Sequence, residues 1–406
     1  MTVKPIDPQP TPRWPARRLE QLSYQRAWVE VDQGAIAANT RQIRQFLAPS
    51  CELMAVVKAD AYGHGAVAIA STVLGAGATA LGVATIPEGV RLREAGITAP
   101  ILLLGSIHSP DEVQAIAHWQ IQPSLSTPKQ ALICAEALDR LGQSLPVHLK
   151  LDTGMSRLGA PWQTAVEFLQ LVHGLPSLQL ASLYSHFATA DSPDRAPLQQ
   201  QHAAFEQAIA QIQAEGLPVP KLHIANSAAT LLDSSLHYDQ VRVGLALYGL
   251  YPAPHLGDRL SLYPALSVKA RVTHVTTLPA GQGVSYGHRY VTQRETPIAV
   301  VGIGYADGVP RALSNQMEVL YRGQRLPQIG AITMDQMMID ISAMPQLAPG
   351  DVVTLLGRSG SEQITADDWA DRANTISWEI LCGFKDRLPR FAVAADWSSN
   401  QVTVRS

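Results

Sequence analysis

The sequence of 406 residues predicts an α/β fold, a (β/α)8 barrel of the TIM type followed by a C-terminal all-β domain. Three observations support this prediction. Short apolar runs alternate with stretches of helical length over about 225 residues, which is typical of parallel βα units. Eight such runs fit a closed barrel better than an open doubly wound sheet, which usually has fewer strands. From about residue 252 onward the runs alternate apolar and polar residues and are rich in Val and Thr, which indicates a second, all-β domain.

The elements follow in order along the chain. A proline-rich arm at residues 1–25 has no continuous apolar stretch and is therefore not a secretory signal. A strand is predicted at 28–32 and a helix at 33–46. The eight barrel strands are predicted at 53–57, 80–84, 101–104, 121–125, 147–151, 180–184, 222–225 and 241–247, with a long helix at 198–215. Strands of the second domain are predicted at 267–277, 297–304, 337–341 and 351–356. The predicted domains are therefore a barrel at 26–255 and a β domain at 256–406.

Composition excludes several classes of protein. The chain has 31 Lys and Arg against 34 Asp and Glu, so no basic surface for a nucleic-acid partner is expected. The cysteines Cys51, Cys134 and Cys382 are widely separated, which argues against a disulfide scaffold or a thiolate metal site and favours a reduced, cytoplasmic protein. Residues 61–87 carry no charge, but Gly75 and Gly77 divide them, so a buried helix–turn–strand is expected rather than a membrane span.

Motifs for common cofactors are absent from the sequence. The nearest approach to a dinucleotide fingerprint, at residues 281–286, ends in Tyr where Gly or Ala is required. No Walker A string and no His-Glu-x-x-His occur. NAD, ATP and a catalytic metal therefore have no support from the sequence.

A lysine stands at the end of the first barrel strand, in the string Val-Val-Lys-Ala-Asp-Ala-Tyr-Gly-His-Gly at residues 56–65. Active sites lie at this rim of a barrel. From position alone, Lys58 is either a structural partner of a carboxylate or a desolvated amine that forms a Schiff base with a carbonyl group.

The string around Lys58 resembles the pyridoxal-phosphate attachment site of alanine racemases. Later strings resemble further motifs of that family in the same order, namely those at 151–159, 185–191, 223–227, 242–249, 284–287, 304–308 and 334–336. The resemblance runs from about residue 28 to 391. It implies an isomerase that interconverts L- and D-alanine with pyridoxal phosphate and supplies D-alanine for peptidoglycan.

The resemblance also implies which residues hold the cofactor. Lys58 would attach it covalently, and Tyr62, Ser227, Gly244 and Leu245 would hold its phosphate. Trp378 stands where a tyrosine usually contacts the phosphate, and this departure puts strict preference for alanine in question.

Arg242 would face the pyridine nitrogen, with His186 and His223 extending its hydrogen-bond network. Without the resemblance, an arginine at a strand start is more often part of a salt bridge.

The substrate side of the site is implied in the same way. Arg157 and the backbone N–H of Met334 would bind the substrate carboxylate. Lys150 is often carbamylated in the family, and the alternative is an unmodified lysine paired to Asp152. Tyr286 and Lys58 would act as two bases on opposite faces of the substrate. The same motifs contain the supporting residues Asn226, Asp335 and Tyr305.

The family's assembly is a homodimer in which the β domain's tyrosine comes from the partner subunit. Three alternatives to an alanine racemase stay open from the sequence. They are a basic-amino-acid decarboxylase of the same architecture, a racemase of broader specificity, and a non-catalytic pyridoxal-phosphate carrier. Arg242 disfavours the first, because such decarboxylases place an acidic residue at the ring nitrogen, and the Tyr286 motif disfavours the last.

Overall fold

A computed structural model describes residues 26–393, so the predicted proline-rich arm at 1–25 lies outside the described residues. The chain divides into two compact units. The barrel unit comprises Val31–Leu266 and Ser377–Cys382, and the β unit comprises Ser267–Ile376 and Gly383–Phe391 together with the residues up to Glu30. The domain bounds 26–255 and 256–406 stay a prediction.

Eight parallel strands form the core of the barrel unit. In spatial order they are Gln240–Val243, Glu52–Val56, Ala80–Val83, Ile101–Leu103, Gln122–Leu125, Leu145–Asp152, Leu178–Tyr184 and Lys221–His223. Two backbone hydrogen bonds join the last strand to the first, from Arg242 N–H to Ala225 O at 2.9 Å and from Asp239 N–H to Leu222 O at 3.1 Å. The sheet is thus a nearly closed barrel, and the predicted fold class is confirmed.

Helices alternate with these strands. They are Gln33–Phe46, Ala66–Gly75, Ile86–Glu94, Pro110–His118, Pro128–Leu141, Ala165–His173, Ala196–Ala214 and Ser227–Leu232. The side chains of Asp32, Thr85, Ser109 and Thr127 accept backbone N–H groups at four of the helix N-termini, which is why these helices begin where they do. The helix predicted at 33–46 is confirmed at the same bounds.

The uncharged stretch at 61–87 folds as predicted, with the helix Ala66–Gly75 followed by the strand Ala80–Val83. Across residues 26–393, no helix combines the length and the apolar character needed to cross a membrane.

The predicted strand at 241–247 is too long. It ends at Val243, and Leu245–Tyr248 form a 3-10 turn instead. The turn begins at Gly244, where an added Cβ would lie 2.5 Å from the hydroxyl oxygen of Tyr62. Apolar composition alone could not reveal this close approach.

The β unit contains most of a nine-stranded sheet. Its strands, in spatial order, are Glu362–Ile364, Val352–Ser359, Glu318–Tyr321, Gln324–Ile329, Met337–Asp340, Thr296–Val301, Leu266–Leu278, Ala27–Asp32 and Arg390–Val393. A separate hairpin pairs Gly283–Val284 with Tyr290–Val291. The four strands predicted here are confirmed in position, whereas the shorter ones were missed. The helix Ala366–Ala373 was also not predicted, and a further helix, Ser377–Gly383, groups with the barrel unit as far as Cys382.

Candidate active site

A cavity of about 510 Å³ opens at the C-terminal ends of the barrel strands. Val56, Ala84, Leu104 and Tyr184 line it from the ends of four strands. The rim at which the cavity lies is where barrel enzymes carry their active sites. Most of the sequence-predicted site residues of the barrel unit line this cavity, namely Lys58, Tyr62, Lys150, Arg157, His186, Asn226, Ser227, Arg242, Gly244, Leu245 and Trp378.

Lys58 is followed by a left-handed turn. Residues 59–62 all have positive φ angles, between 52° and 54°, although none of them is glycine. Non-glycine residues adopt this conformation at a cost of about 1–2 kcal/mol each. The hydrogen bonds that hold the turn include those from Gly63 N–H to Ala59 O at 3.0 Å, from Gly65 N–H to Asp60 O at 2.9 Å and from Ala66 N–H to Asp60 Oδ1 at 2.8 Å. Such concentrated strain is characteristic of functional sites.

The electrostatic setting of Lys58 suits a reactive amine. Burial lowers the pKa of Lys58, and the nearby positive charge of Arg157 lowers it further, while Glu88 acts in the opposite direction. The lowered pKa increases the fraction of neutral amine, which is the nucleophilic form.

Tyr62, Ser227 and Gly244 meet at one edge of the cavity. The hydroxyl of Tyr62 lies where a Cβ of Gly244 would be, and Ser227 Oγ accepts hydrogen bonds from Gly244 N–H at 3.0 Å and Ala246 N–H at 3.4 Å. Burial raises the pKa of Tyr62, so its hydroxyl stays a donor. Asn226 caps the short helix that begins at Ser227, accepting from Ala229 N–H at 3.0 Å. Two hydroxyl groups beside a tight backbone turn form a place where a phosphate oxygen can bind.

Arg242 is buried at the base of the cavity. Its Nη1 donates to His223 Nδ1 at 2.7 Å, and its Nη2 donates to Ser185 O at 2.7 Å, His186 Nδ1 at 3.0 Å and Ile224 O at 3.2 Å. Within residues 26–393 its Nε makes no hydrogen bond, and no carboxylate lies within 4 Å of it. Burial lowers the pKa of Arg242 to about 10, so the guanidinium remains charged at neutral pH. The salt-bridge alternative is therefore not what the structure shows.

His223 lies behind Arg242, with none of its side chain exposed. The ring of Tyr184 stacks on it at 4.7 Å between centroids, and the Cζ of Arg242 lies 4.9 Å from the Tyr184 centroid. Tyr184 Oη is 2.6 Å from Ser124 Oγ. The motifs did not single out Tyr184, because its contacts are with residues on three other strands that are distant along the chain.

Arg157 projects from a loop that folds back on its own strand. Asp152 Oδ1 accepts hydrogen bonds from Gly154 N–H at 2.9 Å and Ser156 N–H at 3.0 Å. A Cβ on Gly159 would lie 2.5 Å from Asp152 N, so only glycine allows this return. The carboxylate of Asp152 is thus engaged by its own loop.

Lys150 is 5% exposed, and among residues 26–393 no carboxylate oxygen lies within 4 Å of its amine. The predicted pairing of an unmodified Lys150 with Asp152 is therefore not found. The Lys150 amine lies 5.6 Å from the centroid of the Tyr184 ring. Burial, and then the charges of Arg242 and Arg157, lower the pKa of Lys150 to about 8.

The remaining predicted residues, Tyr286, Tyr305, Met334 and Asp335, all lie on the β unit. The backbone N–H of Tyr305 donates to Thr333 O and that of Ala306 donates to Met334 O, both at 3.0 Å. Arg387 donates to Asp335 Oδ1 at 2.7 Å. Three large residues of this group are exposed on the single chain, with exposed fractions of 74% for Tyr286, 53% for Met334 and 41% for Tyr305.

The sequence did not predict that Gln201 contacts the backbone of His186. Gln201 Oε1 accepts from Ala188 N–H at 2.8 Å, and Gln201 Nε2 donates to His186 O at 3.1 Å, so this buried amide holds the backbone on both sides of Phe187. Gln201 lies in the helix Ala196–Ala214. This helix contains several other glutamines, so nothing in the sequence distinguished Gln201 from them.

Comparison with known families gives two matches that together cover most of the chain. The model of the alanine racemase N-terminal domain matches residues 31–252, and that of the alanine racemase C-terminal domain matches residues 265–392.

Individual relatives agree. The chain is 64% identical to the alanine racemase of Nostoc sp. over 91% of the chain and 96% of that protein, and 62% identical to that of Synechocystis sp. over 91% and 99%. Among solved structures, alanine racemase from Streptomyces lavendulae has a TM-score of 0.85 at 39% identity, covering 91% of the chain and 98% of that protein. The Bartonella henselae enzyme, described with covalently bound pyridoxal phosphate, has a TM-score of 0.81 at 32% identity over 91% of the chain and 99% of that protein.

Proposed function

The chain belongs to the alanine racemase family and is an isomerase that interconverts L- and D-alanine, and we propose that it does so with pyridoxal phosphate held by Lys58. When bound, this cofactor withdraws electrons from the substrate Cα and so makes the Cα proton acidic. The residues of the cavity fit the group. They offer an amine of lowered pKa at Lys58, two hydroxyls beside Gly244, and a permanently charged Arg242.

The observation that carries the proposal is the environment of Arg242. Its partners are two histidines and two backbone carbonyls, with no carboxylate in reach among residues 26–393. At neutral pH Arg242 keeps its proton, so a ring nitrogen that faces its Nε would stay unprotonated. Arg242 would thereby keep electron withdrawal by the bound cofactor weak, which disfavours decarboxylation and transamination. This supports a racemase over the basic-amino-acid decarboxylase of the same architecture.

Binding of the cofactor phosphate is assigned to Tyr62, Ser227 and the backbone of Gly244 and Leu245. Trp378 lines the same cavity in place of a hydroxyl donor, and its indole N–H is a donor only. We therefore expect phosphate affinity to depend more heavily on Tyr62 and Ser227.

Substrate orientation and proton transfer are assigned to four residues. Arg157 and the backbone N–H of Met334 orient the carboxylate of alanine, a role that suits a forked, charged donor. Lys58 Nζ takes the Cα proton of D-alanine, and Tyr286 Oη takes that of L-alanine. Two groups on opposite faces allow a proton to leave one face and another to arrive at the other, which is what inversion requires.

The assembly proposed is a homodimer in which Tyr286, Tyr305, Met334 and Asp335 of each subunit complete the partner's site. Their exposure on the chain supports this proposal, and symmetric dimers are the commonest closed assemblies. The product D-alanine would supply peptidoglycan synthesis in the cytoplasm.

The deciding experiment combines a substrate panel with an isotopic test. Purified protein loaded with pyridoxal phosphate should racemise L-alanine faster than L-lysine, L-ornithine or L-serine, and borohydride should fix the cofactor to Lys58 as located by mass spectrometry. Tyr286→Phe should abolish racemisation while Lys58 still exchanges the Cα proton of D-alanine with deuterium from solvent. Decarboxylation of lysine or ornithine, or attachment at another lysine, would contradict the proposal.

A further inference from the structure

A line of five side chains crosses the barrel interior and ends at Arg242. Gln122 Oε1 lies 2.9 Å from His148 Nε2, and His148 Nδ1 lies 2.6 Å from Ser182 Oγ. Ser182 Oγ lies 2.8 Å from His223 Nε2, and His223 Nδ1 lies 2.7 Å from Arg242 Nη1. We call this set the Gln122–Arg242 chain.

The direction of every hydrogen bond in the Gln122–Arg242 chain follows from its two end members. Arginine has donors only, so His223 Nδ1 must accept and neutral His223 carries its proton on Nε2, which donates to Ser182 Oγ. Gln122 Oε1 can only accept, so neutral His148 carries its proton on Nε2 and its Nδ1 accepts the hydroxyl hydrogen of Ser182. The amide oxygen of Gln122 is thus the terminal acceptor of a chain in which each group has one possible role.

Burial makes this arrangement of hydrogen-bond donors and acceptors costly to disturb. His148, Ser182, His223 and Arg242 are each 6% exposed or less. Burial lowers the pKa of His148 to about 3 and that of His223 well below its usual range, so both are neutral at pH 7. A buried donor left without an acceptor costs about 1–3 kcal/mol.

Other charged groups act on the two histidines. The charge of Lys221 lowers the pKa of both, and that of Arg242 lowers the pKa of His223. Lys221 is itself paired with Glu52 at 2.6 Å. Tyr184, which stacks on His223, is neutral because burial raises its pKa. Gln122 is an uncharged member of the Gln122–Arg242 chain. Its replacement by Glu introduces a carboxylate with little change of shape.

We propose that Gln122, His148 and Ser182 are positioning residues for Arg242, which supply the acceptor for His223 Nε2–H, hold His223 in the tautomer that accepts from Arg242, and thereby keep the arginine Nε directed at the cofactor ring nitrogen. The proposal rests on the proposed function, because the ring nitrogen is the group that Arg242 serves there. None of the three touches the cofactor or the substrate.

Gln122→Glu is the critical variant. A carboxylate at this position favours protonated His148, which then has two donors and no acceptor. Ser182 Oγ must then accept from His148 Nδ1–H, so its own hydrogen either turns to its other partner, His223 Nε2, or stays buried without an acceptor. This favours a His223 protonated at Nδ1, where the proton opposes the N–H of Arg242. The effect requires His148 to be charged, so it disappears as pH rises. Gln122→Met removes the acceptor without adding charge and leaves His223 neutral in its original tautomer.

The experiment measures kcat, KM and the cofactor absorption of the holoenzyme between pH 6 and pH 10. We expect Gln122→Glu to lose about tenfold or more in kcat at the acid end, as for a lost hydrogen bond to a charged group, to recover at the alkaline end, and to show a matching shift of the absorption band. Gln122→Met should lose less, with no such pH dependence. The matched control is Gln179→Glu, which adds the same charge on the strand Leu178–Tyr184 at an exposed glutamine bonded to Ser144 Oγ at 2.8 Å.

A second readout does not depend on activity. In wild-type holoenzyme with 15N-labelled histidine, His148 and His223 should both be unprotonated at Nδ1, and Gln122→Glu should shift both rings toward protonation at Nδ1 at the acid end. A wild-type His223 protonated at Nδ1, or a Gln122→Glu profile that follows Gln179→Glu at every pH, would overturn the inference. If wild type and Gln179→Glu both lack racemase activity, the proposed function fails instead, and the tautomers still decide the arrangement of the chain.

Discussion

Oε1 of Glu88 accepts a hydrogen bond of 2.8 Å from the backbone N–H of Ala59, the residue that follows Lys58. The other oxygen, Oε2, accepts from Ala84 N–H at 2.7 Å and Thr85 N–H at 3.1 Å as part of the capping box of the helix Ile86–Glu94. One carboxylate therefore connects the strained left-handed turn at 59–62 to the start of a regular helix. Because strained backbone persists only where its surroundings hold it, Glu88 is expected to maintain the position of Lys58.

Glu88→Gln should reduce both stability and attachment of the cofactor, because an amide offers one acceptor where the carboxylate offers two. The expected loss in the free energy of unfolding is about 1–3 kcal/mol, measured by urea denaturation. Glu112→Gln is a matched control. Glu112 forms the same capping box with His108 N–H at 2.6 Å and Ser109 N–H at 3.0 Å, without a third bond to the turn. Equal yields of borohydride-fixed cofactor on Lys58 in the two variants would contradict this role.

The Glu88 contact shows where prediction from the sequence stops. The string Thr85-x-x-Glu88 carries the local signature of a helix start, and helix bounds such as 33–46 were predictable because periodicity and caps are local. The bond to Ala59 joins residues 29 positions apart, one in the turn that follows the strand Glu52–Val56 and the other in the helix Ile86–Glu94, so it depends on the barrel geometry. The stacking of Tyr184 and the contacts of Gln201 are non-local in the same way, whereas the resemblance already implied His186 and His223 as partners of Arg242. The motifs identified the side chains that line the cavity, whereas the groups that hold them required the fold.

Gly244→Ala should weaken binding of pyridoxal phosphate. The new Cβ would lie 2.5 Å from Tyr62 Oη and 3.0 Å from its Cζ, so the Tyr62 hydroxyl must move away from residue 244. Titration of the cofactor-free protein with pyridoxal phosphate should give at least about a tenfold higher Kd, as expected for one displaced hydrogen bond to an anion. Gly174→Ala is the control, since the nearest atom to its Cβ would be a carbonyl oxygen at 3.4 Å. Unchanged affinity would remove Tyr62 and Gly244 from the phosphate site.

Lys150 should make stability depend on pH in the alkaline range. Its pKa is about 8 in the folded chain against 10.5 for an ordinary lysine, so the unfolded chain binds more protons between these values. The free energy of unfolding therefore rises as pH increases from about 8, by up to roughly 3 kcal/mol. Below pH 8 the full cost of burying the charged Lys150 amine is present. Lys150→Met should flatten this rise in urea denaturation series, whereas Lys129→Met, at an exposed lysine, should not.

Addition of bicarbonate tests whether Lys150 can be carbamylated. A neutral amine beside Arg157 and Arg242 can add carbon dioxide, and the resulting carbamate is an anion that those two charges stabilise. Wild-type protein at pH 8 should therefore become more stable on addition of bicarbonate, while Lys150→Met should not respond. An identical response of both proteins would exclude carbamylation at Lys150.

Mixing two inactive variants tests the proposed dimer and the two bases together. Lys58→Ala and Tyr286→Phe should each lose roughly 10²–10⁴-fold in racemase activity, as for removal of a general acid–base group. If each site combines Lys58 of one subunit with Tyr286 of the other, a hybrid dimer has one doubly altered site and one intact site. Random exchange makes half of the dimers hybrid, so the mixture should recover about one quarter of wild-type activity, since the dimer has two equivalent sites. Tyr290→Phe, at another tyrosine of the β unit, should remain active by itself. If both groups of a site came from one subunit, every site in a hybrid would carry one substitution and no activity would return on mixing.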